Sequence, residues 1–373
     1  MHIFIDARGL ENNVDGIGQF CLQILNRLSQ FSDTLFSVLI RDDLQEALQT
    51  AHNITYIKTG IRRFTIGEGF MIKRLVVAAR PDLYINISPY LCGKFPCRKY
   101  LIIHDLLSTH FKGHFKGMGF IKEFLASLYF RHTTAESIAQ ADGIITVSQH
   151  SKRKIGAYYK TGSLKIGVVY GGVDEQFEQC LDNIKKQEFI QKHGLSRDFF
   201  LHVGNLKPYK NITNIIKAYD CFVKKHPEDR RELVLTGNRG RGYACAMNLV
   251  DSLKLRNRIK ILGYIDAREM PLLYSISCGL FFPSIEEGGG LPVLEAMRCK
   301  TPVVTSQGTA TEELAGGHAF LVNPQSIASL VDGLEHLAFS VKDVNKINTA
   351  YAHAAEFTWD KTAHNIMRII LEK

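Results

Sequence analysis

Residues 283–297 read PSIEEGGGLPVLEAM, and this stretch decides how the chain is interpreted. The apolar run GLFF at 279–282 predicts a buried strand, and residues 291–297 predict a helix with its proline in the first turn. The glycines between them let the backbone approach a ligand closely, and a helix start offers unpaired N–H groups to a phosphate. Glu287 precedes that helix and Glu295 lies one turn inside it, so both can contact hydroxyls of one ligand. The pattern predicts a nucleotide-sugar site.

The full string resembles the E-x7-E signature of retaining glycosyltransferases of family 4, which have the GT-B fold. A glycine-rich turn alone is common in α/β proteins and is weak evidence for phosphate binding. In that family the first glutamate contacts the donor sugar and the second contacts the nucleotide ribose, which gives these roles to Glu287 and Glu295. The resemblance also places Gly289, Gly290 and Leu291 at the donor. Gly289 departs from the family, which usually has an aromatic residue there.

The composition is typical of a soluble protein of two domains. The chain has 373 residues, of which 45% are hydrophobic and 22% are charged. Its eight cysteines lack paired metal-type spacing, which favours buried thiols in a reducing compartment. No signal peptide and no apolar run of about 18 residues is recognisable. We therefore expect a cytoplasmic location. A peripheral association with the inner face of the cell membrane is compatible with it.

Positive charge is concentrated in the first half of the chain. Residues 58–165 contain 18 Lys or Arg against 6 Asp or Glu, whereas the net charge of the whole chain is +9. Within them, residues 111–122 read FKGHFKGMGFIK and interleave aromatic with cationic side chains. Two interpretations stay open for this segment: docking onto anionic lipid headgroups, or a solvated loop followed by a helix whose Phe residues face the core. Nucleic acid is not expected as a partner, because no recognisable nucleic-acid module accompanies the charge.

Short apolar runs alternate with helical patterns along the chain. The runs predict parallel strands at residues 3–6, 35–40, 83–86, 100–104 and 143–147, then at 199–203, 233–236, 259–262, 280–282, 302–305 and 319–322. Helical spacing of apolar residues is clearest at 19–28 and 120–130. This alternation predicts an α/β protein, and with the family resemblance a GT-B fold: two doubly wound Rossmann-like domains facing a cleft.

The predicted domain boundaries follow from a second motif. GVVYGGVDEQF at 167–177 resembles the segment that ends the first domain in the family. We therefore predict an N-terminal acceptor-side domain at 1–177 and a C-terminal nucleotide-sugar-binding domain at 178–356. Residues 357–373, which begin Phe-Thr-Trp, resemble the family's closing helix and are expected to return to the N-terminal domain.

Two further segments of the second half supply donor-site candidates. GNLKPYKN at 204–211 follows a strand and precedes a helix, and a lysine there can neutralise a diphosphate as a compact charge. Family members place a diphosphate-binding lysine at the position of Lys210 and often an arginine at that of Asn205, where Lys207 could supply the missing charge. Ile265 lies where relatives hold the nucleobase.

The first half contributes a glycine loop and a histidine. Gly16 and Gly18 precede the first helix, and by resemblance they form the loop that meets the donor phosphates and the acceptor. His104 follows an apolar run, and in the family the equivalent histidine faces the donor sugar at the reacting centre. Without the resemblance, a helix-entry turn explains the glycines equally well, and a structural His–Asp pair is the more common explanation of His104.

The resemblance implies a metal-independent, retaining hexosyltransferase. Its expected partners are a nucleotide-sugar donor and a glycan or lipid-linked acceptor, without a separate cofactor. His104 and Glu287 are the predicted catalytic residues. The opening Asp-Ala-Arg and the His-Asp-Leu string are most similar to bacterial mannosyltransferases of surface polysaccharide synthesis, which favours GDP-mannose. A UDP-sugar transferase, a GT-B sugar-nucleotide epimerase and a non-catalytic glycan-binding subunit are the alternatives.

Overall fold

The computed structural model describes residues 1–11, 16–45, 48–65, 67–91, 93–111, 119–196, 198–237 and 242–372. By its internal contacts the chain divides into two compact units. Unit 1 comprises Met1–His110, Phe124–Gly172 and Thr358–Lys373, and unit 2 comprises Phe111–Glu123 and Val173–Phe357. The division after Gly172 lies a few residues before the boundary that the sequence predicts at 177.

Each unit is built on one parallel sheet. In the described part of the chain, unit 1 has seven strands in the order β3-β2-β1-β4-β5-β6-β7 and unit 2 has six in the order β10-β9-β8-β11-β12-β13. All the strand pairs are parallel. The strands are β1 (His2–Asp6), β2 (Leu35–Arg41), β3 (Ile54–Thr59), β4 (Leu83–Asn86), β5 (Arg98–Ile103), β6 (Gly143–Thr146), β7 (Ile166–Val168), β8 (Phe200–Val203), β9 (Leu233–Thr236), β10 (Ile259–Gly263), β11 (Gly279–Phe282), β12 (Val303–Ser306) and β13 (Phe320–Val322).

Helices connect most of these strands, since parallel neighbours need a crossover connection; among the described residues, no helix lies between β2 and β3 or between β4 and β5. The helices are α1 (Gly16–Leu25), α2 (Glu68–Ala79), α3 (Leu107–His110), α4 (Phe120–Gln140), α5 (Gln149–Tyr158), α6 (Asn183–His193), α7 (Ile212–Lys225), α8 (Tyr243–Ser252), α9 (Met270–Ile276), α10 (Leu291–Arg298), α11 (Ala310–Ala315), α12 (Ile327–Phe339), α13 (Val344–Ala355) and α14 (Trp359–Leu371), with 3₁₀ turns at Leu28–Gln30 and Pro208–Lys210. The predicted class, two doubly wound parallel α/β domains, is confirmed.

The sequence prediction found eleven of the thirteen described strands, including the edge strands β10 and β13 of unit 2, and missed both edge strands of unit 1. All eleven predicted strands are present, with ends shifted by one or two residues. The missed strands are β3 and β7, which lie at opposite edges of the unit 1 sheet. Their side chains are half-buried or exposed, because an edge strand has neighbours on one side only. Such strands lack the continuous apolar run that marks a central parallel strand.

The core of unit 2 explains why its helices and strands could be predicted from the sequence. Helix α7 buries a stripe formed by Ile212, Ile215, Ile216, Tyr219 and Phe222, which recur at the helical period. These side chains share one apolar cluster with residues of β8, β9, β11 and α12. A helical stripe facing continuous apolar strands is the arrangement expected for a doubly wound sheet.

The last helix of the chain packs against unit 1. Trp359 at the start of α14 is buried, and its indole ring contacts Phe20 of α1 edge-on at 5.7 Å between centroids. Asp360 accepts a hydrogen bond from Arg27 at 2.8 Å. Gly172 makes this docking possible, since a β-carbon there would lie 2.2 Å from the Trp359 backbone nitrogen.

Gly172→Ala is expected to destabilise the protein, because the added methyl group meets backbone atoms of α14 that cannot rotate away. Overpacking of this kind typically costs about 1–3 kcal/mol. The measurement is the urea midpoint of the transition of unit 1. Gly156→Ala in α5 is the matched control, because a β-carbon there has no neighbour within 4 Å; it should be neutral or slightly stabilising. Equal midpoints for the two variants would contradict the packing argument.

Candidate functional site

The loops that follow β8 and β11 lie side by side at the carboxyl edge of the unit 2 sheet. These strands are hydrogen-bonded neighbours, so the segments that leave them start at the same edge. The N–H of Ile285, after β11, donates to the carbonyl oxygen of Tyr209, after β8, at 2.8 Å. Open parallel sheets bind their ligands at this edge.

Asn211 holds the two loops in place. Its backbone has a positive φ of 67°, a conformation that asparagine tolerates better than most residues. Its side-chain amide is buried and donates to the carbonyl oxygens of Pro283 at 3.0 Å and of Pro324 at 2.6 Å. The loop that bears Lys210 is therefore tied to the loop that bears Glu287.

Lys210 and Glu287 form an ion pair at this edge. The Lys210 Nζ lies 2.7 Å from Glu287 Oε1, and the two side chains are only 12% and 10% exposed. The Lys210 ammonium also lies 4.7 Å from the centroid of the Phe282 ring, within cation–π range. Gly204 makes room for the lysine stem, because a β-carbon there would lie 3.2 Å from Lys210 Cε. The lysine is thus held in one place by contacts on several sides.

The carboxylate of Glu287 keeps hydrogen-bonding capacity. Its Oε1 is buried and lies 2.7 Å from the Lys210 ammonium, so its charge is compensated. A carboxylate has about four lone-pair sites, and one ammonium contact leaves others that can accept. The carboxylate can therefore accept a hydrogen bond from a ligand hydroxyl, and the ammonium beside it can approach an anion.

The glycine run shapes the start of α10. Gly290 has φ +107°, and a β-carbon there would lie 2.6 Å from Thr311 Cγ2 and 3.8 Å from the Phe282 ring. Only glycine can adopt this φ and also leave room for Thr311 without strain. Leu291 then begins the helix, with Pro292 in its first turn, as the sequence predicts. The helix start and Lys210 are thus both near the Phe282 ring, and Gly289 beside them is partly exposed.

Glu295 occupies a different environment from Glu287. Its Oε2 accepts a hydrogen bond from the Tyr274 hydroxyl at 2.7 Å. Burial raises the pKa of Glu295 from 4.5 to about 7, although the Tyr274 hydrogen bond and the charge of Lys210 both lower it. Burial also raises the pKa of Tyr274 well above 10, with Glu295 adding to the effect. Tyr274 therefore remains a donor that orients this carboxyl group.

The other predicted residues of unit 2 lie around the same edge. Ile265 is buried directly after β10, where Gly263 has a φ of 75° and its carbonyl oxygen accepts from Gly237 N–H at 2.7 Å. Asn205 lies after β8 and is half-buried. The Lys207 ammonium lies 5.9 Å from the Tyr209 ring centroid.

Lys207 shares this ring with Lys210, whose ammonium lies 5.8 Å from the same centroid. A second cation therefore stands near the one that the sequence singles out. The role suggested for Lys207, that of supplying the charge which Asn205 lacks, stays a prediction.

The predicted residues of unit 1 also meet at a carboxyl edge. His104 directly follows β5, rather than ending it, and is 8% exposed. Its ring contacts Phe20 edge-on at 4.7 Å between centroids. Phe20 follows Gly18, which lies in the first turn of α1, and Gly16 is the first residue of that helix. The structure thus brings His104 close to the glycine segment.

Asp105, beside His104, accepts a hydrogen bond from Leu107 N–H at 2.9 Å. This bond shapes the turn that enters α3.

Three contacts of the site were not found from sequence. They involve Tyr274, which orients Glu295; Phe282, whose ring lies beneath Lys210; and Asn211, which joins the loops. Tyr274 and Phe282 are fully buried in apolar segments, so their sequence signal is that of core residues. Asn211 follows Lys210 directly, and its position at the start of a helix after a turn was the one available clue.

The described residues contain neither a metal-binding cluster nor a membrane-spanning helix. No group of three or more His, Cys, Asp or Glu side chains among them is placed to hold a metal ion. In the same part of the chain, no helix has both the length and the apolar character needed to cross a membrane.

Comparisons with known proteins identify the domain that carries the site. Residues 183–350 match the family described as Glycosyl transferases group 1. The chain is 31% identical over 231 residues to the O-antigen chain mannosyltransferase RfbU of Salmonella typhimurium, an alignment that covers 61% of each chain. It is 25% identical over 408 residues to the serotype-specific mannosyltransferase WbdA of Escherichia coli, covering 98% of this chain and 47% of that one.

The chain thus spans about three fifths of the first relative and about half of the second. Among solved structures, the sucrose-phosphate synthase of Thermosynechococcus elongatus superposes with a TM-score of 0.75 at 16% identity, covering 99% of this chain and 98% of that one. At this identity the likeness shows the fold alone, and it covers the residues of both units.

Glu295→Gln is expected to change the pH dependence of stability. Because the pKa of Glu295 is raised to about 7 in the folded protein, the folded state holds its proton more tightly than the unfolded state does. This protonation stabilises the fold at low pH, and the contribution is lost as pH rises through 7. Between pH 5.5 and 8.5 the free energy of unfolding of the wild type should fall by about 2 kcal/mol relative to that of Glu295→Gln, whose amide does not ionise. Urea unfolding at both pH values measures this. Parallel pH profiles for the two proteins would contradict the raised pKa.

Proposed function

We propose that this chain, whose residues 183–350 form a group 1 glycosyltransferase domain, transfers a hexose from a nucleotide diphosphate sugar to a glycan or lipid-linked acceptor. The observation that carries the proposal is the ion pair of Lys210 and Glu287, held at the carboxyl edge of the unit 2 sheet. A cation for phosphate and a carboxylate for hydroxyls, on adjacent loops, match the two chemical parts of such a donor.

Lys210 and the start of α10 are assigned to the donor diphosphate. The lysine is already ordered by Phe282 and Glu287, so little side-chain entropy is lost when the phosphate binds. The first turn of α10, entered through Gly289, Gly290 and Leu291, adds backbone N–H groups and the positive end of a helix dipole. Negative charge grows on the diphosphate as it leaves, and these groups stabilise it.

The two glutamates divide the remaining contacts. Glu287 accepts hydrogen bonds from hydroxyls of the transferred sugar, for which Oε1 has capacity. Glu295 accepts from the ribose hydroxyls, with Tyr274 fixing its orientation. Ile265 packs against the nucleobase. In unit 1, His104 is assigned to the donor sugar.

The remaining donor contacts come from the glycine segment and from Asn205. Gly16 and Gly18 at the start of α1 are assigned to the donor phosphates, and Asn205 with Lys207 supports the diphosphate beside Lys210.

We propose that the reaction retains the anomeric configuration, as the E-x7-E resemblance implies. An oxygen of the leaving diphosphate takes the proton of the acceptor hydroxyl on the same face of the sugar. Neutralisation of the diphosphate falls to Lys210 and the helix start rather than to a metal ion. Transfer should therefore persist in the presence of a chelator, and the anomeric configuration of the product is read by NMR.

Mannose is the proposed sugar, and GDP-mannose the proposed donor. Support comes from two relatives that are named as O-antigen or serotype-specific mannosyltransferases. A surface polysaccharide or its lipid-linked precursor is the corresponding acceptor. The proposed location is the cytoplasm, at the inner face of the membrane.

Lys210→Ala and Glu287→Ala are each expected to lower transfer at least about 100-fold, the cost of removing one preorganised charged contact from a transition state. Lys210→Ala should also weaken binding of the nucleoside diphosphate, which has no sugar, whereas Glu287→Ala should affect it far less. Transfer is measured with a radiolabelled donor, and binding by calorimetry.

Lys224→Ala is the matched control for this pair, because it also removes a lysine that contacts a carboxylate, here Asp220 at 2.7 Å, but at the other end of α7. Its transfer rate should equal that of the wild type. Near-normal turnover in Lys210→Ala or Glu287→Ala would refute the assignment.

A thermal-shift screen of GDP- and UDP-sugars tests the donor. Binding of one ligand at 100 times its Kd should stabilise the protein by about 2.7 kcal/mol, which raises Tm by several degrees. GDP-mannose is expected to give the largest shift, and Lys210→Ala should abolish it. A larger shift with a UDP-sugar would overturn the GDP-mannose assignment, and conversion of the donor without an acceptor would indicate an epimerase.

A further inference from the structure

Helix α4 exposes apolar side chains where a surface helix normally carries polar ones. Its exposed members, with the exposed fraction of each residue, are Ile121 (71%), Phe124 (62%), Leu125 (56%), Leu128 (55%) and Tyr129 (48%). The spacing of these five is that of one helical face. Such clusters on a protein surface mark sites of interaction.

The other face of α4 already contacts the core of unit 1. Thr134, Ser137 and Ile138 are buried, and Ile138 shares an apolar cluster with residues of β5 and β6. At about 100° per residue, Leu125 and Leu128 lie on the side of the helix opposite these three. Burial in the core of unit 1 therefore does not account for the apolar face.

Cationic side chains border this face. The Phe64 ring lies 5.1 Å from that of Phe130 on α4, and the Phe64 N–H donates to Glu68, the first residue of α2, at 2.6 Å. The start of α2 is thus beside α4. On α4 itself, Lys122 and Arg131 are exposed.

Helix α2 adds charge of the same sign. It exposes Lys73 and Arg74, together with Phe70, which is 68% exposed. Its one acidic residue, Glu68, is buried and bonded to the guanidinium of Arg8 at 2.8 Å, so it does not offset these charges at the surface. Residues 61–80 hold five Lys or Arg and no other acidic residue.

We infer that the outward face of α4, with the adjacent cations of α2, docks onto an anionic phospholipid surface. The apolar side chains enter the boundary between headgroups and acyl chains, Tyr129 stays at the headgroup level, and Lys and Arg meet lipid phosphates. A second copy of this chain fits less well, because in a symmetric pair the cations that border this face would meet cations of the same sign, and like charges across an interface repel.

This surface extends the proposed function. A transferase whose acceptor is lipid-linked meets that acceptor at the membrane, so this part of the inference rests on the proposed function. The docking itself rests only on the exposed face and its charge. Residues 112–118, part of the basic aromatic segment singled out by sequence, lie outside the described residues and are not needed for it.

Flotation of the full chain with lipid vesicles tests the inference. The wild type should float with vesicles of phosphatidylcholine and phosphatidylglycerol, and much less with phosphatidylcholine alone. The double variant Phe124→Ser/Leu128→Ser should lose binding on the order of tenfold, because the apolar contribution is removed. Lys73→Glu/Arg74→Glu should lose binding to the anionic vesicles specifically, and the salt dependence of binding should fall with it.

The matched control is Leu181→Ser/Ile184→Ser. It removes two apolar side chains of unit 2 that are 75% and 72% exposed, and its flotation should equal that of the wild type. Unchanged flotation of Phe124→Ser/Leu128→Ser, or absence of flotation by the wild type, would overturn the inference. A drop in oligomeric mass of that variant by light scattering would also overturn it and assign the face to a second copy.

Nucleotide-sugar binding separates this inference from the proposed function. The variants of α4 lie outside the donor site, so their thermal shift with GDP-mannose should equal that of the wild type. Loss of flotation with an intact thermal shift supports the docking surface. If the wild type floats but binds no nucleotide sugar, the proposed function fails and the docking surface stands.

Discussion

The contact between Lys210 and Glu287 depends on how the chain leaves two adjacent strands. Strands β8 and β11 are far apart in sequence but hydrogen-bonded in the sheet, so their loops start side by side. Asn211 fixes their spacing, because its amide binds a carbonyl group of the opposite loop. Parallel pairing thus brings a cation and a carboxylate together at the carboxyl edge, where the Asn211 amide and the Ile285–Tyr209 hydrogen bond join their loops.

The two glutamates of the E-x7-E motif show that spacing alone does not define a site. Glu287 is compensated by an ammonium group at 2.7 Å, whereas Glu295 is compensated by a hydroxyl group, and burial raises its pKa to about 7. Burial disfavours the charged form of a carboxyl group, and in Glu295 this effect outweighs both the Tyr274 hydrogen bond and the charge of Lys210. Two glutamates eight positions apart thus occupy different electrostatic environments, and under the proposed function they contact different parts of the donor.

More of the fold than of the site could be predicted from the sequence. Central strands such as β1 and β11 were predictable, because burial on both faces leaves a continuous apolar run. Edge strands β3 and β7 were not, since exposure removes that run. Lys210 and Glu287 could be chosen because the family motifs mark them. Tyr274 and Phe282 could not, because a buried aromatic that supports a charged side chain has the same sequence pattern as one that only fills a core.

Charged and apolar side chains are arranged differently in the two units. In unit 2, Lys210 is paired with a carboxylate and placed beside aromatic rings, so its charge acts over a short range on one ligand. In unit 1, Lys73 and Arg74 are exposed on α2, near a helix whose outward residues are apolar. Exposed charges act weakly on any single small ligand but add up across an extended anionic surface. Under the two proposals, the same kind of side chain recognises a small anion when buried and an extended one when exposed.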